Sequence, residues 1–457
     1  MTPEKILYYS TNGNTRKVSF GEALLKGLAP DNGLYMPDQL PLLDASVLQN
    51  LTGKSFPEIA FVIAQNFLRG EIEEEELRLL ANDAYNFQVP LEKVVDRKYI
   101  MRLDQGPTAS FKDFAARMMG RLMQYFLQKQ NRELLILTAT SGDTGSAIAN
   151  AFYGLHNIRV VILFPENEVT PRQRKQMTTL RRNIKIISLQ GKFDDCQALV
   201  KQAFMDSSLS HLNLSSANSI NIGRLLPQSF YYFYAWAQLA IPGNPEPVVF
   251  SVPSGNFGNM MGGLLAKRMG LPVKKFIIAT NENDEVPVYW QTGNYTTIVP
   301  SRNCISSAMN VGHPSNMARV IALYGGRMDE KGNITKDPDI RKMREDIFAV
   351  SISDQQTIAV MKEIYSRHRV LTEPHGAAGW AGLLEYFKQN PSDSHHDQLA
   401  VSLETAHPAK FPEEIRSLLN IEPELPASME GLDKREEEYD SLENNYSLFR
   451  DYLKARY

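Results

Sequence analysis

Seven short runs of aliphatic and β-branched residues recur between residues 98 and 404, and they constrain the fold more than any other feature of the chain. Segments with helical periodicity separate most of these runs. Such alternation is typical of strands that are buried on both faces of a mostly parallel sheet and joined by helical crossovers. The sequence therefore predicts an α/β fold. The runs are YIMRLDQ, ELLILTAT, RVVILFP, IKIISLQ, PVVFSVP, KKFIIATN and QLAVSLE.

Three further segments differ in composition from this alternating region. Residues 1–95 mix glycine-punctuated and helical patterns, which indicates an N-terminal domain. The polar stretch at about 283–350 carries several turn signals and indicates an insertion with little core sheet of its own. Residues 431–457 alternate in charge along an apolar stripe, which predicts a helix docked on the surface.

The composition excludes several classes of protein. Of the 457 residues, 43% are hydrophobic and 22% are charged, as in an ordinary folded protein with a sizeable core. The net charge is −3 and no basic stretch is interleaved with aromatic residues, so we expect small-molecule partners rather than nucleic acid or membrane. Cys196 and Cys304 lack metal-ligand spacing, which predicts reduced thiols and no metal site. With neither a signal peptide pattern nor an apolar run of about 20 residues, the expected location is the cytoplasm.

One lysine occupies an unusual place for a charged side chain. The segment GPTASFKDF predicts a helix start with Ser110 as N-cap and Asp113 closing a capping box, so Lys112 falls in the first turn. It also falls within the apolar arc of the helix that follows. Burial and the positive end of the helix dipole both favour a neutral amine, the form that Schiff-base chemistry requires. The alternative is a lysine whose stem lies along the edge of an ordinary amphipathic helix.

Three loops that follow predicted strands can hold an anion or a polar group, because open α/β sheets bind ligands at the carboxyl ends of their strands. The loop SGDTG, residues 141–145, places glycines and hydroxyls at a helix N-terminus; a tight turn capped by Asp143 is the alternative. The loop SGNFGN, residues 254–259, has the order of strand, glycine-rich turn and helix that cradles a phosphate monoester. It matches neither a Walker A loop nor a dinucleotide fingerprint. The third loop, ETAHPAKF, supplies the hydroxyl of Thr405.

A fourth segment, NSINIGR at residues 218–224, combines amide groups, a hydroxyl and Arg224. A planar guanidinium can hold two phosphate oxygens at once, so this segment favours a second phosphate site. The alternative is a solvated helix start capped by Asn218 or Ser219.

Five motifs together carry a resemblance that extends over nearly the whole chain. They are PTASFKDF, LTATSGDTG, NSINxxR, SVPSGNFGN and TAHPAKF, and the opening VSFGEALLKGLAPDNGLYMP adds to them. In this order and spacing the chain resembles the threonine synthases of the bacterial and fungal type, within the fold-type II, tryptophan-synthase-β-like class of pyridoxal-phosphate enzymes. The resemblance implies two open, mostly parallel twisted sheets flanked by helices. It also implies a large cofactor-binding domain, residues 96–130 and 216–430, and a small mobile domain, residues 131–215, that closes over the substrate.

The resemblance also implies roles for individual residues. Lys112 would form the Schiff base with pyridoxal 5′-phosphate and later move protons, Thr405 would hydrogen-bond the pyridine nitrogen, and Asp143 would contact the 3′-oxygen. The cofactor phosphate would be enclosed by Gly255, Asn256, Phe257, Gly258 and Asn259. Substrate contacts would come from Ser141, Gly142 and Thr144 at the carboxylate and from Asn218, Ser219 and Arg224 at the phosphate. His407 and Lys410 would be structural.

Under this resemblance the chain would act as a monomer or homodimer in the last step of threonine biosynthesis. It would convert O-phospho-L-homoserine and water to L-threonine and phosphate. Three alternatives stay open. A serine/threonine dehydratase would have no use for the second anion site, whereas an O-phosphohomoserine lyase that makes 2-oxobutanoate would keep it. The third is a non-catalytic pyridoxal-phosphate carrier or a scaffold that retained the fold.

Overall fold

Strands and helices alternate along most of the computed structural model, which describes residues 5–457. The strands are β1 (Tyr8–Ser10), β2 (Tyr35–Pro37), β3 (Leu91–Val95), β4 (Lys98–Arg102), β5 (Leu134–Ala139), β6 (Ile158–Pro165), β7 (Ile184–Gln190), β8 (Leu214–Ser215), β9 (Val248–Pro253), β10 (Val273–Thr280), β11 (Arg327–Met328), β12 (Ile334–Lys336), β13 (Ile347–Ser351), β14 (Ala400–Glu404) and β15 (Asp440–Glu443).

The helices are α1 (Phe20–Lys26), α2 (Ala45–Gln49), α3 (Phe56–Leu68), α4 (Glu74–Ala84), α5 (Lys112–Gln130), α6 (Asp143–Phe152), α7 (Pro171–Thr178), α8 (Phe193–Met205), α9 (Ile222–Leu225), α10 (Phe230–Leu239), α11 (Gly258–Arg268), α12 (Glu285–Thr292), α13 (Met317–Leu323), α14 (Ile340–Asp346), α15 (Asp354–His368), α16 (Pro374–Gln389), α17 (Pro412–Leu419) and α18 (Tyr446–Arg456). Within residues 5–457 no helix is both long and apolar enough to cross a bilayer.

A six-stranded sheet forms the larger of the two α/β units, in the order β13-β10-β9-β14-β4-β3. All its pairings are parallel except that of β3 with β4. Every residue of β9 and β14 is buried, which explains why these strands are mostly apolar on both faces. Because β4, β9 and β14 run in the same direction, the loops that follow them meet at one edge of the sheet.

A five-stranded sheet, entirely parallel, has the order β15-β7-β6-β5-β8. The α/β fold with two mostly parallel sheets is thus confirmed, and each of the seven aliphatic runs overlaps a strand. The C-terminal segment supplies β15, which pairs with β7, and then α18, whose Phe449 and Leu453 pack with residues of α8. The sequence predicted the helix but not this strand.

The N-terminal helices pack against α5 and fix the position of its first turn. The ring of Phe56 in α3 lies 5.1 Å from the ring of Phe114 in α5 and 4.9 Å from that of Tyr85. The Tyr85 hydroxyl donates a hydrogen bond of 2.9 Å to the Phe114 carbonyl. Aromatic pairs of this kind stabilise packing beyond the area that they bury, so the N-terminal segment anchors the helix that begins with Lys112.

Candidate active site

Two loops at the shared sheet edge bond to each other and bring Thr405 next to Lys112. The amide of Phe111 donates to the Thr405 carbonyl at 2.9 Å, and the amide of His407 donates to the Ala109 carbonyl at 3.0 Å. Ser110 and Ala406 form an antiparallel bridge between these bonds. Two motifs that lie almost 300 residues apart in the chain are therefore joined by backbone hydrogen bonds.

The predicted capping box at the start of α5 is wrong. The helix begins at Lys112 with Phe111 as its N-cap, and no side chain caps it. Asp113 instead accepts hydrogen bonds from the Thr108 amide at 2.8 Å and from the Thr108 hydroxyl at 2.6 Å. The carboxylate of Asp113 therefore closes the preceding loop instead of completing a capping box.

The Lys112 amine is suited to act as a nucleophile and base. Its side chain is half-buried, and within residues 5–457 its Nζ has neither a hydrogen bond nor an ion-pair partner. Burial lowers the pKa of Lys112; the positive charges of Lys410 and Arg224 act in the same direction, while the carboxylate of Asp143 opposes them. A greater share of neutral amine is available than on an ordinary surface lysine.

The charge of Asp143 is held by a buried lysine that the sequence did not single out for the site. Asp143 is the first residue of α6, and its Oδ1 lies 2.6 Å from Lys410 Nζ and accepts a 2.9 Å hydrogen bond from Gln173 Nε2. Burial alone would raise the pKa of Asp143, but Lys410 and Lys112 outweigh it and hold that pKa well below its ordinary range. Lys410 Nζ also donates to the Thr108 carbonyl at 2.9 Å.

Lys410 lies in a short 3-10 turn, so no helical or strand periodicity marks it. The signal that could have revealed it is Asp143, because a carboxylate in a buried loop requires a cationic or donor partner. The loop before Asp143 is closely packed as well. Gly142 has φ 136°, and a Cβ there would lie 2.6 Å from Gln173 Cδ. Ser141 is exposed and Thr144 is half-buried on either side of this turn.

The loop between β9 and α11 has the geometry of a phosphate cradle. Phe257, at φ 63°, is the N-cap of α11, and Gly258 is its first residue. A Cβ on Gly255 would lie 2.8 Å from the Ala308 carbonyl oxygen, so a larger residue there would displace the loop. Asn256 is exposed, whereas Asn259 is buried and donates to the Pro253 carbonyl at 2.8 Å. The Asn259 side chain therefore braces the loop, and the helix N-terminus is left to attract an anion.

Arg224 is a buried cation in a segment separate from the glycine-rich loop. It is buried, its Nη1 donates to the Ala217 carbonyl at 3.1 Å, and its Nε has no partner within residues 5–457. Burial lowers the pKa of Arg224 to about 10. The cap of α9 is Asn221, whose side chain accepts from the Gly223 amide, so the alternative caps Asn218 and Ser219 are wrong. Both are half-buried. A buried guanidinium with an unpaired donor points to an anionic ligand.

These groups fit pyridoxal phosphate. The amine of Lys112 is unpaired, and the hydroxyl of Thr405 makes no hydrogen bond in the part of the chain that the structure describes. An aldehyde and a pyridine nitrogen would satisfy these two groups, and the N-terminus of α11 would satisfy a phosphate. Asp143 lies near enough to Lys112 to affect the pKa of its amine.

Comparisons with known proteins agree with this chemistry. The family model described as "Pyridoxal-phosphate dependent enzyme" matches residues 89–401. Models of the threonine synthase N terminus and C-terminal region match residues 7–85 and 377–453. Together the three models account for most of the chain.

Individual relatives extend over nearly the full length. The chain is 38% identical to the threonine synthase of Haemophilus influenzae, over 97% of this chain and 99% of that protein. The solved structure of a PLP-bound threonine synthase from Brucella melitensis has a TM-score of 0.92 at 34% identity and covers 99% of both chains. The yeast threonine synthase structure has a TM-score of 0.89 at 30% identity and covers 98% of both. The resemblance found in the five motifs is confirmed: the chain belongs to the threonine synthase family of pyridoxal-phosphate-dependent enzymes.

Proposed function

We propose that this enzyme converts O-phospho-L-homoserine and water to L-threonine and phosphate. The single observation that carries the proposal is the buried Arg224, whose unpaired Nε lies in a segment separate from the glycine-rich loop. One phosphate site serves the cofactor and the other serves a phosphorylated substrate. A dehydratase acting on serine or threonine would leave this guanidinium buried without an anion, at a considerable cost in free energy.

Lys112, Thr405, Asp143 and the loop 255–259 would hold the cofactor. When bound, pyridoxal phosphate supplies an electron sink for negative charge that develops on the substrate carbons. The Thr405 hydroxyl, unlike a carboxylate, would leave the pyridine nitrogen largely unprotonated, which suits elimination and replacement better than transamination. The Asp143 carboxylate, balanced by Lys410, would face the 3′-oxygen.

Lys112 is the group that moves protons. When substrate is bound, the free amine of Lys112 would take the proton from the substrate Cα and then one from Cβ. Phosphate would leave from Cγ, and a proton would return to that carbon. Water would then add its hydroxyl at Cβ, its remaining proton would go to the released phosphate, and Cα would regain a proton. The lowered pKa of Lys112 supports this role, because a base must be neutral to accept a proton.

Two further groups of residues would bind the carboxylate and the phosphate of the substrate. Ser141, Gly142 and Thr144 at the start of α6 would bind the carboxylate, and Asn218, Ser219 and Arg224 the phosphate. The first group belongs to the unit of residues 131–215, which would close over the substrate and exclude water until the addition step. We further propose that the enzyme acts in the cytoplasm as a monomer or homodimer; its two free cysteines support a reducing compartment.

The reaction is tested by incubating purified holoenzyme with O-phospho-L-homoserine and measuring both phosphate and the organic product. We expect phosphate and threonine in equal amounts. Release of phosphate with accumulation of 2-oxobutanoate would identify a lyase instead, and no release of phosphate would reject both.

Replacing Arg224 with alanine should weaken substrate binding far more than cofactor binding. Loss of a charge-assisted contact worth about 1.5–3 kcal/mol predicts a rise in KM of roughly 10- to 150-fold. The Kd of pyridoxal phosphate should change less than about threefold, because the two anion sites are separate. Arg367, which is exposed and bonds to Glu363, is the matched control for removal of an arginine. Equal losses in both constants would contradict the division of the two sites.

A further inference from the structure

The insertion between β10 and β13 reaches both anion loops at the start of α13. Asn316, the N-cap of α13, is completely buried. Its Nδ2 lies 2.9 Å from the Asn256 carbonyl oxygen, in the glycine-rich loop, and 3.3 Å from the Ser219 carbonyl oxygen, in the substrate loop. One side-chain amide thus bonds to the backbone of both loops.

The adjacent residue, Ser315, also contacts both loops, through their side chains. Ser315 Oγ lies 3.4 Å from Asn256 Oδ1 and 3.4 Å from Ser219 Oγ. The Ser315 amide also donates to Asn256 Oδ1 at 3.4 Å. The contact between the loops therefore does not depend on a single bond.

A buried arginine holds Asn316 in this orientation. Arg319 is fully buried, and within residues 5–457 it has no carboxylate partner. Its Nη1 donates to Asn316 Oδ1 at 2.6 Å and to the Ser219 carbonyl at 3.1 Å, and its Nη2 donates to the Ile220 carbonyl at 2.7 Å. Because Asn316 Oδ1 accepts from Arg319, the amide cannot flip, and Nδ2 must face the two loops.

These contacts also set the direction of one backbone N–H group in each loop. In a planar trans peptide the carbonyl and the following N–H point in opposite directions. When Asn316 holds the carbonyls of Asn256 and Ser219, it therefore turns the N–H groups of Phe257 and Ile220 away from itself. Neither of these N–H groups has an acceptor in the described part of the chain, so each is free to donate to a ligand.

We propose that Asn316, oriented by Arg319, is a positioning residue that aims one free backbone N–H at the cofactor phosphate and one at the substrate phosphate. The inference rests on the proposed function, which assigns the two loops to these two anions. It gives the insertion a role in binding, because a single side chain sets the direction of donors in both sites.

The test replaces Asn316 with alanine and measures two affinities without turnover. The first is the Kd of pyridoxal phosphate for cofactor-free protein, by absorbance titration, and the second is the Kd of inorganic phosphate for holoenzyme, by calorimetry. The substitution removes one positioning hydrogen bond in each loop, so both Kd values should rise about 5- to 30-fold. At saturating cofactor and substrate, kcat should fall less than about threefold, because Asn316 does not contact the reacting atoms.

Two further variants keep the test decisive. Asn333→Ala removes an exposed asparagine of the same insertion, bonded to Asp329, and should change neither constant. If Asn316→Ala does not fold, Ser315→Ala takes its place, with rises of about twofold in both constants, since its bonds are longer.

A rise in only one constant, or in neither, would overturn the inference. So would a fall in kcat as large as the rise in the two Kd values, because that pattern indicates a general disturbance of the site. These outcomes are independent of the reaction itself: wild-type enzyme that forms no threonine rejects the proposed function, whereas the two affinities report on Asn316 alone.

Discussion

Replacing Lys112 with alanine is expected to abolish the visible absorption that a lysine-linked cofactor gives, and to reduce phosphate release by roughly a thousandfold or more. Both effects have the same cause, because Lys112 would provide the only covalent attachment and also the base that moves protons between the substrate carbons. Pyridoxal phosphate should still bind, since the loop 255–259 is unchanged. The absorption spectrum of the variant and the rate of phosphate release check the two effects separately.

The control is Lys129→Ala, which removes an exposed lysine at the far end of the same helix α5. Its spectrum and activity should match those of the wild type. A Lys112→Ala protein that keeps the visible band, or more than a few per cent of the activity, would show that another amine carries the chemistry.

Replacing Lys410 with methionine is expected to lower the free energy of unfolding at pH 8 by about 3–5 kcal/mol, because it leaves the carboxylate of Asp143 buried without its nearest cation. The stem of the side chain is kept, so lost packing contributes little. In the variant the rising limb of the pH–activity profile should also move to higher pH, since loss of the Lys410 charge favours protonation of Lys112. Urea unfolding and a pH–activity series measure the two effects.

The loss of unfolding free energy in Lys410→Met depends on pH because the pKa of Asp143 is shifted in the folded protein. Its folded-state pKa lies below the ordinary value of 3.8, so in the wild type the ion pair contributes stability above that value and loses it as the pH falls further. In Lys410→Met the same carboxyl gains a proton more readily, which relieves the buried charge. The difference in unfolding free energy between wild type and variant should therefore be largest near neutrality and narrow towards pH 4.

A double variant separates the charge effect from general damage. In Asp143→Asn with Lys410→Met both charges are gone, and most of the stability lost in the single variant should return. Breaking the surface pair of exposed Lys17 and half-buried Asp38 by Lys17→Met should cost no more than about 1 kcal/mol. Strictly additive losses in the double variant would contradict a direct interaction between Asp143 and Lys410.

Most of the fold could be predicted from the sequence because the central strands are buried on both faces and stand out as aliphatic runs. The exceptions are edge strands. β15 reads DSLE and β3 reads LEKVV, and both have exposed or half-buried residues that lack such a run. Their pairing depends on the neighbouring strand more than on their own composition.

The candidate site divides in a similar way. Lys112, Thr405 and the glycine-rich loop lie directly after strands or at helix starts, where local sequence carries a signal. Lys410 and Asn316 bond instead to carbonyls and carboxylates that come from distant segments, and no spacing in the sequence marks such partners. The capping box failed because the Asp113 carboxylate accepts from the Thr108 amide and hydroxyl instead of from the backbone at the N-cap.

The pairing of β15 with β7 also affects how the protein behaves as a solute. Residues Ile187–Gln190 would otherwise present a row of unpaired backbone groups at the rim of the five-stranded sheet. An open rim of this kind is a template on which a second chain can add, and native proteins cover it. The last 20 residues or so therefore cover an edge at which a second chain could pair. We expect that removing them would lower solubility even with every binding residue intact.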